Sequence, residues 1–170
     1  GPEHNMDSRE REKAFVDVMY KYKLNFSNDM MRRGNYSANC TYQINELLDA
    51  YPDADAVVCA NDVMAMGCYV GLSKCGVAIE DVKVTGFDSL TSGSMFSPSI
   101  TSVDPGWEEM ARRSMEHLFY CMDNGDEVIY QTVESHGDIR GRCGCYHKKG
   151  SESSDGRVLF LGYERMVSSS

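Results

Sequence analysis

Arg11, Asn61, Asp62, Asp88 and Tyr36 are the residues of this 170-residue chain whose types and settings can hold a small polar molecule. Arg11 falls in the first turns of a predicted helix, where the helix dipole disfavours a cation. It therefore pairs with Asp7 or Glu12 at the surface or serves a purpose outside the helix. Its planar fork can donate two hydrogen bonds to vicinal hydroxyls or to a carboxylate, and Arg9 is the poorer candidate for that task. Asn61 and Asp62 stand between a predicted strand and a predicted helix, the usual place for a helix cap. Capping uses one acceptor and leaves an asparagine amide free to donate to a hydroxyl. Asp88 ends the string Gly86-Phe87-Asp88, as a turn former or as a carboxylate accepting from two hydroxyls. Tyr36, in Gly-Asn-Tyr-Ser after a strand near Met31, can stack on a ligand ring or pack within the fold.

Other chemistries find weaker support. Cys143-Gly-Cys145 with His136 and His147 offers ligand types suited to zinc, but the cysteines are too close together and no second pair stands at a defined distance, so no metal site is expected. The sequence has no nucleophile elbow, no phosphate loop and no histidine placed by motif beside a cysteine. An enzyme is not expected, and neither is a cofactor. Seventeen Lys and Arg against twenty-six Asp and Glu give a formal charge of −9, the wrong sign for neutralising a nucleic-acid backbone. Seven cysteines, an odd number, several of them in apolar or small-residue runs, fit thiols kept reduced in a cytosol. No window approaches the roughly 18 consecutive apolar residues of a membrane span, and the amino terminus lacks the pattern of an export signal.

The elements that must position these residues follow from periodicity. Ala14, Phe15, Val18, Met19 and Tyr22 share one face of a helix over Asp7–Tyr22, with Asp7 and Glu10 spaced as a capping box. Cys40, Ile44, Leu47 and Leu48 mark a second helix ending near Tyr51-Pro52. The apolar run from Asp55 to Ala60 predicts a strand covered on both faces. The next helix closes at Cys75-Gly76, and Val82–Phe87 is the following strand. Strand, helix and strand within about thirty residues make a right-handed crossover, so the fold class is α/β, a doubly wound, mostly parallel sheet flanked by helices. Ligands of such sheets lie beyond the carboxyl ends of the strands, where Asn61, Asp62 and Asp88 fall. After Ile100–Val103, a long helix runs from Gly106 to Met122 and turns at Asn124-Gly125. A strand is expected over Glu127–Val133, residues 146–156 read as a linker, and Val158–Leu161 forms one more strand.

Asp53-Ala-Asp-Ala-Val-Val-Cys-Ala-Asn-Asp-Val-Met-Ala-Met-Gly67 closely resembles the effector-binding domain of the lac repressor and galactose repressor family of bacterial regulators. Cys75–Asp88, Ser97–Pro105 and the opening Gly1-Pro2 with Ser8, Arg9, Arg11 and Phe15 are similar to further blocks of that family, in order. The resemblance implies one lobe of a two-lobed, periplasmic-binding-protein-like fold that closes on a sugar or purine. It makes residues 1–104 the carboxyl-terminal lobe, residues 105–145 a crossover helix and strand belonging to an amino-terminal lobe, and residues 146–170 a linker or tail. It puts Arg11 in the place of a ligand-clamping arginine, Asn61 and Asp88 in those of ligand contacts, and Tyr36 in that of a stacking aromatic, while Asp62 holds local backbone.

The function so implied is sensing of a small hydroxylated ligand by a cytoplasmic, homodimeric regulator. Neither membrane association nor direct nucleic-acid contact is expected from these residues, which read as a piece of a longer protein. The Cys-rich end and Tyr163–Val167 resemble linkers to a signalling output such as a GGDEF-type diguanylate cyclase. The competing expectation is an exported solute-binding protein of a sugar transporter, which shares the fold.

Overall fold

The computed structural model describes residues 5–125, 131–140 and 158–162, the last of these as backbone. Helix α1 spans Met6–Lys21 and leads through a short turn to strand β1, Met31–Arg33. Its cap is Asn5, whose side chain accepts from the Ser8 amide at 2.9 Å. The expected Asp7 and Glu10 box is thus corrected: the helix starts earlier, and Asp7 sits in its first turn, where an acid complements the dipole.

Helix α2, Thr41–Ala50, buries Ile44, Leu47 and Leu48, the residues the helical spacing aligns. Strand β2, Ala56–Cys59, helix α3, Asp62–Lys74, and strand β3, Lys83–Thr85, form the expected crossover. Its two strands pair in parallel, Val57 with Val84. Helix α3 ends at Cys75 with Gly76 in the left-handed region, φ 71°, as the Cys-Gly signal implies.

Two elements depart from the expectation. The strand predicted over Glu127–Val133 is absent from its described part, residues 131–133, and residues 126–130 lie outside the description. The strand there is β5, His136–Asp138, antiparallel to β4, Ser102–Asp104. Apolar character misled: Val133 lies against Gly106, packing as a loop residue. Strand β6, Val158–Gly162, forms where a strand was expected, but in the middle of the sheet. The order is β1-β6-β2-β3, with β6 parallel to both neighbours. Residues 146–156, read as a linker, and Tyr163–Val167 lie outside the described residues.

Helices α2 and α3 pack against each other, and the core between them and the sheet contains Ile44, Leu47, Val57, Met64 and Leu72. Three thiols join it: Cys40, Cys59 and Cys68 are free and buried, and burial pushes the Cys40 thiol up to about 11. The alternate strand residues Val58 and Thr85 border a groove with Ala14, Phe15 and Val18 of α1. Helix α4, Trp107–Asn124, stands apart. It has no buried residue, and Met110, Met115, Leu118 and Phe119 remain exposed. No described helix is long and apolar enough to cross a membrane.

Gly67 permits the close approach of α3 to the start of α2. A Cβ there would lie 2.2 Å from the Ala38 carbonyl oxygen and 2.7 Å from Cys40 Sγ. Gly67→Ala should therefore destabilise the fold by about 2 kcal/mol or more, because backbone cannot yield as a side chain does. Gly137→Ala, whose Cβ meets nothing within 4 Å, is the matched control. Urea unfolding checks this, and equal midpoints for the two variants would refute the close-packing account.

Candidate functional site

The parallel strands end at one edge, and their backbone builds the site's floor. The Asp62 amide donates to the Phe87 carbonyl at 2.7 Å, the Gly86 amide to Thr101 at 2.9 Å and the Asp88 amide to Val103 at 2.9 Å. These bonds splice the ends of β2, β3 and β4 together. Arg11 approaches from α1: its Nη1 donates to the Ala60 carbonyl at 2.6 Å, and its Nη2 lies 3.7 Å from Asp88 Oδ1. The guanidinium stacks 3.7 Å from the centroid of the Phe87 ring and 5.9 Å from that of Tyr36, so the ring faces hold the cation. Tyr36 in turn donates its hydroxyl to Asn5 Oδ1 at 3.3 Å.

The structure thus brings Arg11, Asp88 and Tyr36 into one cluster, with Asn61 one residue beyond the carbonyl that Arg11 holds. Asn61 caps α3: its Oδ1 accepts from the Met64 amide at 2.9 Å, which leaves the Nδ2 donors for other use. Asp62 was expected to hold local backbone, and here the structure corrects the reading. It lies inside the first turn of α3, fully buried, and its carboxylate accepts from partners far along the chain, the Ser102 hydroxyl at 2.6 Å and the Leu90 amide at 2.6 Å. A Cβ on Gly86 would lie 2.1 Å from Asp62 Oδ1, so only glycine fits opposite this carboxylate.

Charge in the cluster is imperfectly balanced. Burial pushes the Asp88 carboxyl above its ordinary range, Arg11 pulls it down, and Asp62 and Asp7 push it up again. At 3.7 Å the pair lacks the short bidentate geometry of a strong Arg–carboxylate contact. An arginine and an aspartate that are each about one-fifth exposed can therefore both turn hydrogen-bonding capacity toward a bound hydroxyl. Two cavities share Arg11 and Phe87. One of about 420 Å³ is lined by Asp7, Glu10, Pro105, Trp107 and Met110 as well, and one of about 480 Å³ is the mostly apolar groove along α1. Asn61 and Asp88 border neither.

Sequence reasoning missed four participants. Asn5 and Phe87 were read as a polar terminus and a strand residue. Trp107, the chain's one tryptophan, donates Nε1–H to the Asp88 carbonyl at 2.7 Å. Arg140 grips Ser89 and Leu90. An aromatic directly after Pro105-Gly106 at a predicted helix start was the available signal for Trp107, whereas Arg140 carried none. Among the described residues no group of three or more His, Cys, Asp or Glu could hold a metal ion. Cys143, Cys145 and His147 lie outside them.

Residues 1–140 match the family model of the periplasmic binding protein-like domain. The chain is 29% identical over 132 residues to the HTH-type transcriptional regulator MalR of Clostridium butyricum, covering 76% of this chain and 39% of that protein. Among solved structures, a complex of the transcriptional regulator CelR with cellobiose is similar with a TM-score of 0.74 at 26% identity, covering 83% of this chain and 44% of that one. A sugar-binding transcriptional regulator of the LacI family from Escherichia coli, complexed with phosphate, gives a TM-score of 0.72 at 25% identity, covering 83% and 51%. The chain spans about two fifths of the length of the curated relatives it matches.

The electrostatics of the cluster can be tested without a ligand. A carboxyl whose pKa is raised by folding binds its proton more tightly in the folded state, so its contribution to stability is present at low pH and lost as pH rises from its ordinary value through the raised one. Arg11→Met removes the one charge that pulls Asp88 down, so Asp88 should titrate at still higher pH and the loss of stability should extend upward with it. Carboxyl-carbon NMR titration checks this, and an unmoved Asp88 titration would show that the pair is uncoupled.

Proposed function

The chain belongs to the periplasmic binding protein-like domain family in its LacI-type form, and from that premise we propose that it is the effector-sensing lobe of an intracellular transcriptional regulator. The ligand is a small hydroxylated molecule, sugar-like, held at the carboxyl edge of the sheet. Arg11 and Asp88 make the dominant contacts, Asn61 donates through its free amide, and Tyr36 supplies an aromatic face. The observation that carries this reading is the convergence of Arg11, Asp88, Phe87 and Tyr36 at that edge. A charged pair flanked by ring faces suits a polyhydroxylated ring, since hydroxyls satisfy both partners and the ring's apolar face rests on the aromatics.

The regulators among the matches support this reading over the exported solute-binding one. Buried free thiols at Cys40, Cys59 and Cys68 favour the same side, because oxidising compartments select against them. The exposed stripe of Met110, Met115, Leu118 and Phe119 supports assigning residues 105–145 to a second lobe that covers it, with residues 1–104 as the binding lobe and 146–170 as linker or tail. An apolar face of this kind calls for a partner surface. Direct nucleic-acid contact is not assigned to these residues, and the working unit is a homodimer.

The test is calorimetry of the full-length parent against maltose, cellobiose, ribose, adenine and guanine. The sugars should bind, and Arg11→Ala or Asp88→Ala should weaken the bound sugar by roughly ten- to hundred-fold, the range for losing one side of a buried polar contact at 1.4 kcal/mol per decade. Unliganded thermal stability should barely move in Asp88→Ala and should fall modestly in Arg11→Ala, which also loses its bond to the Ala60 carbonyl and its stacking on Phe87. Variants that bind the sugar as tightly as the parent would remove these residues from the site.

A further inference from the structure

The two ends of the α4 excursion between them grip one three-residue segment, Asp88–Leu90. Trp107, where the chain enters α4, holds the Asp88 carbonyl at 2.7 Å. Arg140, where it has returned through β5, donates Nη1 to the Leu90 carbonyl at 3.0 Å and Nη2 to Ser89 Oγ at 2.7 Å. It also pairs with Asp138, which accepts from the Ser89 hydroxyl. The backbone of Arg140 is pinned to β4 through Thr101, whose Oγ1 donates to the Arg140 carbonyl at 2.7 Å and accepts from its amide at 3.1 Å. From the core side, buried Asp62 accepts from the Leu90 amide and from Ser102, and the Ser102 hydroxyl oxygen accepts from the Ser89 amide at 3.0 Å.

The gripped segment does not choose its own shape. Asp88 and Ser89 have φ of 101° and 50°, a region that L side chains rarely adopt and that persists only when surroundings enforce it. We infer that Arg140 and Asp62 are positioning residues that form a latch around Asp88–Leu90, so that movement of α4 relative to the lobe is transmitted to the Asp88 carboxylate. Helix α4 has no buried residue, so little besides this latch and Trp107 fixes its base to the lobe. Coupling of this kind is reciprocal: whatever engages Asp88 biases where α4 sits, and whatever holds α4 biases Asp88. The functional consequence rests on the reading of Asp88 as a ligand contact, but the latch itself does not.

The chain's single tryptophan makes the latch measurable with no ligand present. In the full chain, Arg140→Ala should free Trp107, already half exposed, from the Asp88 carbonyl, seen as a further red shift in emission and faster acrylamide quenching, and should move the Asp88 carboxyl titration. Arg140→Lys should restore the tryptophan signal only in part, since an ammonium cannot span Leu90 and Ser89 as the guanidinium fork does. Ser89→Ala removes one rung without emptying a buried site, and should give a smaller shift in the same direction if Arg140→Ala fails to fold. Unchanged Trp107 emission and an unmoved Asp88 titration in folded Arg140→Ala, or in Ser89→Ala where that variant stands in, would overturn the latch. Shifted signals with no cellobiose or maltose binding by the parent would leave the latch standing and sink the sugar reading instead.

Discussion

A carboxylate with no exposure must be satisfied by the protein, because desolvating it without partners costs more than a typical fold can absorb. Asp62 imposes that requirement here, and the carboxyl edge of the sheet is arranged around it. It is held by a side chain from β4 and an amide from the loop after β3. Glycine stands opposite, because a Cβ at residue 86 would enter the space of its oxygen. Burial pushes the Asp62 carboxyl above its ordinary range, while Ser102, Leu90 and Arg140 pull it back. The loop bearing Asp88 is therefore placed by a buried group that never meets solvent, and Arg11 meets that loop from the other side.

The α/β class, the crossover of β2, α3 and β3, and the core face of α2 were legible because each rests on local pattern, whereas of the stripe expected on α1 only Phe15 and Met19 are buried and Val18 and Tyr22 face solvent. A short continuous apolar run favours a strand covered on both faces, and a 3.6-residue apolar stripe favours a helix with one face for packing. The place of β6 was not legible. Its apolar residues marked a strand, but nothing local says that Met31 pairs with Phe160 and Val57 with Leu159. Pairings so distant in sequence carry no short-range signal, and they are closed late, after loop entropy is overcome. The slot is nonetheless a reasonable one. Helix α1 lies against β6 and leads into its neighbour β1.

The candidate site divides along the same line. Asn61 and Asp88 could be named because residue type and a strand-end setting coincide, Arg11 because the family resemblance puts a clamping arginine there, and the helix cap at Asn61 follows from local geometry alone. Asp62 was read too locally. An acid in the first turn of a helix ordinarily serves the dipole and the orphan amides, and only the tertiary fold shows that this one turns inward to Ser102 and Leu90. Arg140 was invisible for a related reason: its partners lie about fifty residues upstream, so neither spacing nor composition could join them.

What remains is why a lobe with a closed core should carry a helix it does not bury. The polar face of α4 is self-sufficient: Arg112 bridges Glu109 and Glu116, Arg113 also reaches Glu109, and these pairs hold the Glu109 carboxyl down at about 2. Exposed pairs of this kind contribute little to stability, and they leave the opposite stripe of Met110, Met115, Leu118 and Phe119 facing water. Isolated helices draw most of their stability from packing of the apolar face, so α4 is well formed but incompletely supported where it stands. The two contacts that do anchor it to the lobe, Trp107 at its start and β5 beyond its end, converge on Asp88 to Leu90. The arrangement therefore concentrates whatever holds α4 on the loop whose Asp88 carboxylate faces Arg11.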